Sequence, residues 1–235
     1  MEKNIEPKIN LDIEEMAKAG LHFGHHTSRV HPKMIPYIFG IRNEVCIIDL
    51  EKAREKFLEA LDFFKEIVKE NKLLLVVATK PPINEIVEKF AKSLNFPYLT
   101  ERWVGGLFTN FDVVKERWDY LKELEEKMKD PQFLESRTKK EKKKIEKEIE
   151  KLRKKFGGIR TLERLPDVVF VVDPNKDKLA VDEAKRKNIK IIGVCDTDCD
   201  PSKIDYPIIG NNDSISSVEY ILNKIREVIL SVKNP

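Results

Sequence analysis

The chain has 235 residues, of which 36% are charged and 41% hydrophobic, so it has enough apolar side chains to build a core and is not wholly disordered. No apolar run approaches the roughly 18 residues that span a bilayer, and the first residues lack a signal-peptide pattern. These features disfavour the membrane and secreted classes and predict a cytosolic protein. The three cysteines, an odd number without framework spacing, are expected to be reduced thiols.

Positive charge is concentrated in three segments of a chain whose net charge is only +3. The segment 112–155 holds 16 Lys or Arg against 12 Asp or Glu. The segment 21–43 has no acid but holds three cations and all four histidines, and 151–160 holds five cations and no acid. Such local electropositive surfaces are typical of proteins that contact phosphates at limited patches. The alternative is that the mixed charges only keep an exposed helix solvated.

Apolar runs typical of strands alternate with amphipathic stretches typical of helices. Strands are predicted at 45–50, 73–77, 96–99, 168–172, 190–194 and 206–209. Helices are predicted at 51–70, 83–94, 176–187 and 214–232. This alternation predicts parallel strands joined by right-handed crossovers, which is an α/β fold with a doubly wound parallel sheet of the flavodoxin or Rossmann-like class.

The middle of the chain interrupts this pattern with two helices that carry narrow apolar seams. The first is expected to be capped by Thr109, and the second starts at a capping box of Thr138 and Glu141. The seam positions are Val114, Trp118, Leu121, Leu124 and Met128 in the first helix and Ile145, Ile149, Leu152 and Phe156 in the second. We therefore predict an inserted antiparallel coiled-coil helical hairpin.

Glycine pairs stand at both ends of the predicted hairpin, at Gly105-Gly106 and Gly157-Gly158, where the chain would turn sharply out of a domain and back. The expected domain organisation follows from these turns. It is an α/β sheet domain made of residues 1–108 and 157–235, with a basic N-terminal loop at 21–43, and an inserted coiled-coil hairpin at 109–156.

The sequence offers little of what an enzyme or a cofactor site needs. No glycine-rich phosphate loop follows the first two predicted strands, and no nucleophile-elbow motif is present, so we expect no catalytic residue and no cofactor. One alternative is a Mg²⁺-dependent phosphotransferase or hydrolase that uses the carboxylates of Asp173, Asp196, Asp198 and Asp200. The competing interpretation of the last three is an Asp-rich turn whose side chains bond their own backbone.

A zinc site would need ligands from distant parts of the sequence. The available side chains are His22, His25, His26, His31, Cys195 and Cys199. Structural zinc sites normally use paired, closely spaced ligands, and no Cys-x-x-Cys motif matches these histidines. We therefore expect no bound metal.

RNA binding explains the acid-free segment better, because its cations and imidazoles are interleaved with Phe23, Tyr37 and Phe39, a mixture that can pair with phosphates and stack on bases. Trp103, which follows a cation, could also stack on a base, although packing at the hairpin root is the favoured interpretation. The side chains predicted to contact RNA are His25, Thr27, Arg29, Lys33, Arg42, Lys80, Arg102, Lys139, Lys140, Lys142, Lys143 and Lys144.

Six short motifs follow one another along the chain. They are Gly20-Leu21-His22-Phe23-Gly24-His25, Pro32-Lys33-Met34 with Tyr37-Ile38-Phe39-Gly40-x-Arg42, Arg102-Trp103-Val104-Gly105-Gly106-x-x-Thr109-Asn110, Leu165-Pro166-Asp167, Asp196-Thr197-x-Cys199-Asp200-Pro201 and Gly210-Asn211-x-Asp213. Together they resemble the bacterial type of the small-subunit ribosomal protein S2 family. The resemblance runs from about Leu11 to Val232, and the first and third motifs are the most specific.

The resemblance implies an α/β domain with a coiled-coil hairpin, bound without catalysis to ribosomal RNA where the head and body of the small subunit meet. It implies neighbouring small-subunit proteins as partners and, in many bacteria, a docking surface for ribosomal protein S1. Our leading interpretation is therefore a structural, rRNA-binding constituent of the cytoplasmic small ribosomal subunit that supports assembly and translation, with no membrane or DNA partner. The alternatives are the magnesium enzyme and an adaptor that binds proteins along 141–155.

Overall fold

The computed structural model describes residues 11–233, apart from the side chain of Leu134. The described part begins with a short helix and three short strands. They are α1 (Ile13–Lys18), β1 (Phe23–His26), β2 (Ile38–Arg42) and β3 (Val45–Ile48). The strands form an antiparallel sheet in the order β1-β3-β2, which we call the N-terminal sheet.

The N-terminal sheet corrects two predictions. The segment 21–43, predicted as a loop, contributes two strands and two 3-10 turns, and 45–50, predicted as the first parallel strand, instead supplies the central strand of this antiparallel sheet. The reason is a two-residue turn at Asn43 and Glu44, whose φ angles of 49° and 64° bring Arg42 opposite its partner in β3. Turns with two positive φ angles match the twist of a hairpin and favour antiparallel pairing.

A second sheet has five strands, all parallel. They are β4 (Leu74–Val77), β5 (Tyr98–Leu99), β6 (Val168–Val171), β7 (Lys190–Cys195) and β8 (Tyr206–Ile209), in the order β5-β4-β6-β7-β8. Every residue of β4 and β6 is buried, as expected when helices cover both faces of a sheet. The prediction of a parallel, Rossmann-like α/β sheet is confirmed.

Four helices pack with the parallel sheet. They are α2 (Leu50–Lys69), α3 (Ile83–Leu94), α7 (Lys178–Arg186) and α8 (Ile215–Lys233). α2 starts where Asp49 Oδ1 accepts the backbone N–H of Glu51 at 3.1 Å, and it buries Phe57 and Phe64 completely. Burial of each aromatic ring contributes about 1.5–3 kcal/mol to folding. The predicted helices thus lie close to their expected positions.

Three helices form the segment between β5 and β6. They are α4 (Phe111–Lys127), α5 (Pro131–Glu135) and α6 (Lys139–Phe156). Leu121 and Leu124 of α4 form a small apolar cluster with Ile149 of α6, separate from the main core. The predicted capping box is confirmed, since Thr138 N donates to Glu141 Oε2 at 2.9 Å and Glu141 N to Thr138 Oγ1 at 3.3 Å.

None of the helices found in residues 11–233 is both long and apolar enough to cross a membrane.

Candidate nucleic-acid interface

The carboxyl ends of the parallel strands carry a cluster of opposite charges. β4 and β6 lie side by side although their crossovers leave in different directions, which is the position where α/β sheets usually open a crevice. Lys80 follows β4 and Asp173 follows β6, and Lys80 Nζ lies 3.3 Å from Asp173 Oδ2. Lys80 also forms an ion pair with Asp213 beyond β8. The charge of Lys80, a predicted RNA contact, is therefore already paired.

His25 joins the same cluster from the N-terminal sheet. Its Nδ1 lies 3.1 Å from Asp196 Oδ1, and its Nε2 lies 3.5 Å from Asp213 Oδ2 and 3.9 Å from Asp198 Oδ2. The interaction with Asp196 raises the pKa of His25 to about 9 and outweighs the opposing effect of partial burial. His25 is therefore a cation at neutral pH, surrounded by three carboxylates.

One loop after β7 fastens the N-terminal sheet to this edge. His25 N donates to Thr197 Oγ1 at 2.8 Å, and His31 N donates to Thr197 O at 2.8 Å. Gly24 lies so close to this loop that a Cβ atom on it would be 2.5 Å from Thr197 Cγ2. Two of the six sequence motifs, 20–25 and 196–201, are thus in contact although they are distant in sequence.

Three of the four carboxylates of the magnesium alternative accept hydrogen bonds from neighbouring residues of their own turns, and the fourth, Asp198, faces His25 at 3.9 Å. Asp173 Oδ1 accepts the N–H of Lys176 at 2.9 Å, Asp196 Oδ1 accepts the N–H of Thr197 at 2.5 Å, and Asp200 Oδ1 accepts the hydroxyl of Ser202 at 2.7 Å. The part of the chain that the structure describes holds no group of three or more His, Cys, Asp or Glu side chains arranged to bind a metal. Backbone-bonded turns, the competing interpretation, describe these acids better.

Three of the six side chains of the zinc alternative have other partners. Cys195 and Cys199 are buried, with their sulfur atoms 3.3 Å apart, and the pKa of Cys195 is raised by its contact with Cys199 and by burial. His26 Nε2 lies 2.8 Å from Glu44 Oε2. Both thiols are therefore core groups, and the Cys195 thiol is protonated, because burial in apolar surroundings disfavours a thiolate.

The predicted contacts of the N-terminal segment divide into free and engaged groups. Arg29 and Arg42 are exposed, and neither forms an ion pair within residues 11–233. Lys33 Nζ donates to Ser202 Oγ at 2.5 Å and pairs with Asp200 at 3.2 Å. The Ser202 hydroxyl and the Lys33 ammonium lower the pKa of Asp200 to about 2. Thr27 is half-buried, and its backbone N–H bonds Glu44 O at 2.9 Å.

The predicted lysine cluster occupies the first turns of α6. Its members are Lys139, Lys140, Lys142, Lys143 and Lys144. Lys142 is half-buried and the others are exposed, and none has an ion pair among the described residues. The amino end of a helix carries partial positive charge, so cations there cost stability. Their position adds to a local positive potential instead of cancelling it.

Arg102 and Trp103 lie on the loop that leads into α4. Arg102 is exposed and has no ion pair within residues 11–233, whereas Trp103 is buried against Phe108 at a ring-centroid distance of 4.9 Å. The indole Nε1 donates to Glu183 Oε1 at 3.1 Å. The favoured interpretation of Trp103 as a packing residue at the root of the insertion is confirmed.

Glu183 of α7 is the residue that sequence reasoning missed. Its carboxylate accepts the N–H groups of Gly106, Phe108 and Thr109 at 2.8–3.3 Å, besides the indole. Burial alone would raise the pKa of Glu183, but these hydrogen bonds lower it below its usual value. The only signal in the sequence is that an acid falls among the buried helix positions Ala180 and Ala184, where an acid needs a partner.

The same carboxylate explains why one predicted cap is wrong. Thr109 does not cap α4, because its hydroxyl donates to Glu183 Oε2 at 3.3 Å and the helix begins after Asn110. One glycine of each predicted pair is required where it stands, while the hairpin that the pairs would bracket stays a prediction. Gly106 has a φ of +87°, which favours glycine, and any side chain at Gly158 would collide with the backbone oxygen of Tyr98.

Comparison of the sequence with known proteins identifies the family of the chain. The family model described as "Ribosomal protein S2" matches residues 16–231. The chain is 45% identical to the small ribosomal subunit protein uS2 of Dictyoglomus thermophilum over 222 residues, which cover 94% of this chain and 90% of that protein. The chain belongs to the ribosomal protein S2 family. Its identity to uS2 of Dictyoglomus turgidum is 44% over 218 residues, covering 93% and 88% of the two proteins.

Membership of the ribosomal protein S2 family confirms the resemblance inferred from the motifs. It assigns the chain a structural role in the small ribosomal subunit, and therefore in the cytoplasm, with ribosomal RNA and other small-subunit proteins as neighbours. The chain is therefore not an enzyme, and the magnesium-dependent phosphotransferase or hydrolase is the wrong alternative.

Proposed function

We propose that the chain binds ribosomal RNA phosphates through two electropositive surfaces, the N-terminal sheet and the insertion, and thereby supports assembly of the small subunit. One observation carries the proposal: seven of the cations on or beside these two surfaces are exposed and lack an ion-pair partner within residues 11–233. They are Arg29, Arg42, Arg102, Lys139, Lys140, Lys143 and Lys144. Unpaired cations on a nearly neutral protein are available to replace counterions on RNA.

Several cations elsewhere on the parallel-sheet body differ in this respect. Lys92 lies 2.6 Å from Glu88, and Lys190 lies 2.8 Å from Asp205. Such exposed pairs add little stability, but they leave little net field at the surface. Lys92 and Lys190 therefore serve as paired control positions for the unpaired cations.

His25, Lys33 and Lys80 receive a second role in this proposal. His25 and Lys33 face carboxylates on the parallel-sheet edge, so they hold the N-terminal sheet there and present it to RNA. Lys80 links two loops of that edge to each other through Asp173 and Asp213. Any phosphate contact they make, and any made by Thr27, is then secondary to positioning.

We further propose that 109–156 is an antiparallel coiled-coil hairpin inserted in a domain made of 1–108 and 157–235. Its separate apolar cluster supports this organisation, as does Glu125 of α4, which bridges Arg153 Nε at 2.6 Å and Arg160. A hairpin with its own seam and a charged exterior can project from a domain. Ribosomal protein S1 stays a predicted partner, to be tested by co-sedimentation.

Charge reversal in the N-terminal sheet tests the RNA proposal. We expect Arg29→Glu with Arg42→Glu to lower incorporation of the tagged chain into small subunits and to flatten the salt dependence of RNA binding by about one unit per lost contact. The control is Lys92→Glu with Lys190→Glu, which changes the net charge equally on paired cations. Equal incorporation of both variants in sucrose gradients, with and without ribonuclease, contradicts the proposal.

A further inference from the structure

A groove of about 500 Å³ runs between α4 and α6 and shares only Lys144 with the cluster of lysines at the amino end of α6. Its charged lining is strongly one-sided. It consists of Arg117, Lys144, Lys147, Lys151 and Lys155, with Glu148 as the one acid that lines it among the described residues. We call this feature the interhelical groove.

The cations of the interhelical groove follow the helix period. Lys144, Lys147, Lys151 and Lys155 are three or four positions apart and therefore share one face of α6. At 1.5 Å per residue they extend over roughly 16 Å. Arg117 of α4 faces them across the groove.

The groove cations are all exposed and have no ion-pair partner in the described part of the chain. The opposite side of the helix pair is different, because Glu125 there engages both Arg153 and Arg160. The two helices thus present one neutralised side and one positive side. A solvated helix exterior alone does not require this segregation, since acids and cations are equally soluble.

Apolar and aromatic groups accompany the positive charge. Leu152 and Phe156 contribute to the groove lining. On α4, Val113 and Tyr120 share a face with Arg117 by their spacing, and their side chains are 48% and 38% exposed. A cationic track beside an exposed aromatic ring is typical of surfaces that bind a nucleic-acid strand, where the backbone follows the charges and a base stacks on the ring.

We propose that the interhelical groove binds one strand of RNA, with Arg117, Lys147, Lys151 and Lys155 on its phosphates and Tyr120 against a base. The inference rests on the proposed RNA-binding function and specifies which side of the insertion performs it. RNA fits better than an acidic protein segment because four of the cations form one row along α6, at steps of three and four residues, and the exposed ring of Tyr120 on α4 offers a base a stacking surface.

Binding of the full chain to transcribed small-subunit ribosomal RNA, measured over 50–300 mM KCl, tests the groove. We expect Lys147→Glu with Lys151→Glu to weaken binding about tenfold or more and to reduce the log-log salt slope by about 1.4, the value for two phosphate contacts on a single strand. The matched control is Lys122→Glu with Lys127→Glu, whose lysines pair with Asp119 and Glu123 and do not line the groove. The control should change affinity less than twofold.

Circular dichroism of each variant establishes that the helices remain folded, and Tyr120→Ala should weaken binding without changing the salt slope. The groove proposal is overturned if the groove and control variants weaken RNA binding equally. It is also overturned if the groove variant binds RNA normally but no longer binds a small-subunit protein. If Arg29→Glu with Arg42→Glu weakens RNA binding while the groove variant does not, the proposed function stands and only the groove fails. If the wild-type chain shows no salt-dependent RNA binding, the proposed function itself fails.

Discussion

The indole of Trp103 donates a hydrogen bond to Glu183, a residue 80 positions further along the chain. The same carboxylate accepts the backbone of the turn that leads into α4, so α7 of the parallel-sheet body holds one root of the insertion. A single buried acid therefore joins the turn before α4 to α7.

Substitution of this acid should loosen the root. We expect Glu183→Gln to lower the free energy of unfolding by about 2–4 kcal/mol, because an amide has one acceptor oxygen and places N–H groups against N–H donors. Urea unfolding followed by tryptophan fluorescence measures the change. Glu219→Gln, at an exposed position of α8, is the control and should be neutral. An unchanged stability of the Glu183 variant would show that the turn is held by other contacts.

Glu183 also predicts a dependence on acid pH. Its pKa is lowered in the folded chain, so its contribution is present above the unfolded-state pKa near 4.5 and is lost as the pH falls through the folded value. Stability of the wild type should thus decline below pH 4.5 more steeply than that of Glu183→Gln. Parallel slopes for the two proteins from pH 5 to pH 3 would contradict this assignment.

His25 predicts the opposite dependence at alkaline pH. Its folded pKa is about 9 against 6.5 in the unfolded chain, so its stabilising effect is complete below pH 6.5 and is lost as the pH rises to 9. After allowance for solvent screening, we expect a loss of about 1–2 kcal/mol over that interval. His25→Gln should abolish it, while His26→Gln should retain it. Titration of the imidazole by NMR provides a direct check, and a midpoint near 6.5 would disprove the ion pair.

Gly24 predicts a steric effect with a matched control. An alanine there would place its Cβ 2.5 Å from Thr197 Cγ2 and 3.1 Å from Cys46 O, whereas nothing lies within 4 Å of a Cβ at Gly40. We expect Gly24→Ala to destabilise the chain by about 1–3 kcal/mol and Gly40→Ala to be nearly neutral. Thermal unfolding of both variants measures the difference in stability. Equal melting temperatures of Gly24→Ala and Gly40→Ala would refute the close contact.

Lys80 distinguishes positioning from RNA contact. Lys80→Met removes the cation of Asp173 and leaves Asp213 with His25 alone, so it should cost about 1–2 kcal/mol of stability, part of which Asp213→Asn should restore in the double variant. A double-mutant cycle measured by urea unfolding gives the coupling. Additive effects would indicate that Lys80 and Asp213 act independently.

The sequence predicts those strands that consist of uninterrupted apolar residues. β4 and β6 are continuous apolar runs, so they are recognisable as buried strands from composition alone. β3 has a similar run but pairs antiparallel, because the turn at Asn43 and Glu44 sets its direction. This turn is hard to predict, since Glu rarely adopts a positive φ. A pattern of apolar residues contains no information about such a turn.

The candidate interface shows the same limit. Segregation of charge correctly indicated where exposed cations occur, as at Arg29 and Arg42. It could not indicate that Lys80 meets Asp213 or that His25 meets Asp196, because these pairs form only when distant strands end at one edge of the sheet. Which cations are free and which are neutralised is a property of the fold.

The hydrogen bonds between Thr197 and the N-terminal segment have a consequence for biosynthesis. Residues 23–48 leave the translating ribosome early, but the loop that bonds His25 and His31 is made some 150 residues later. Contacts between such distant parts of a chain form slowly. The docking of the N-terminal sheet on this loop is therefore completed only after most of the polypeptide has been synthesised.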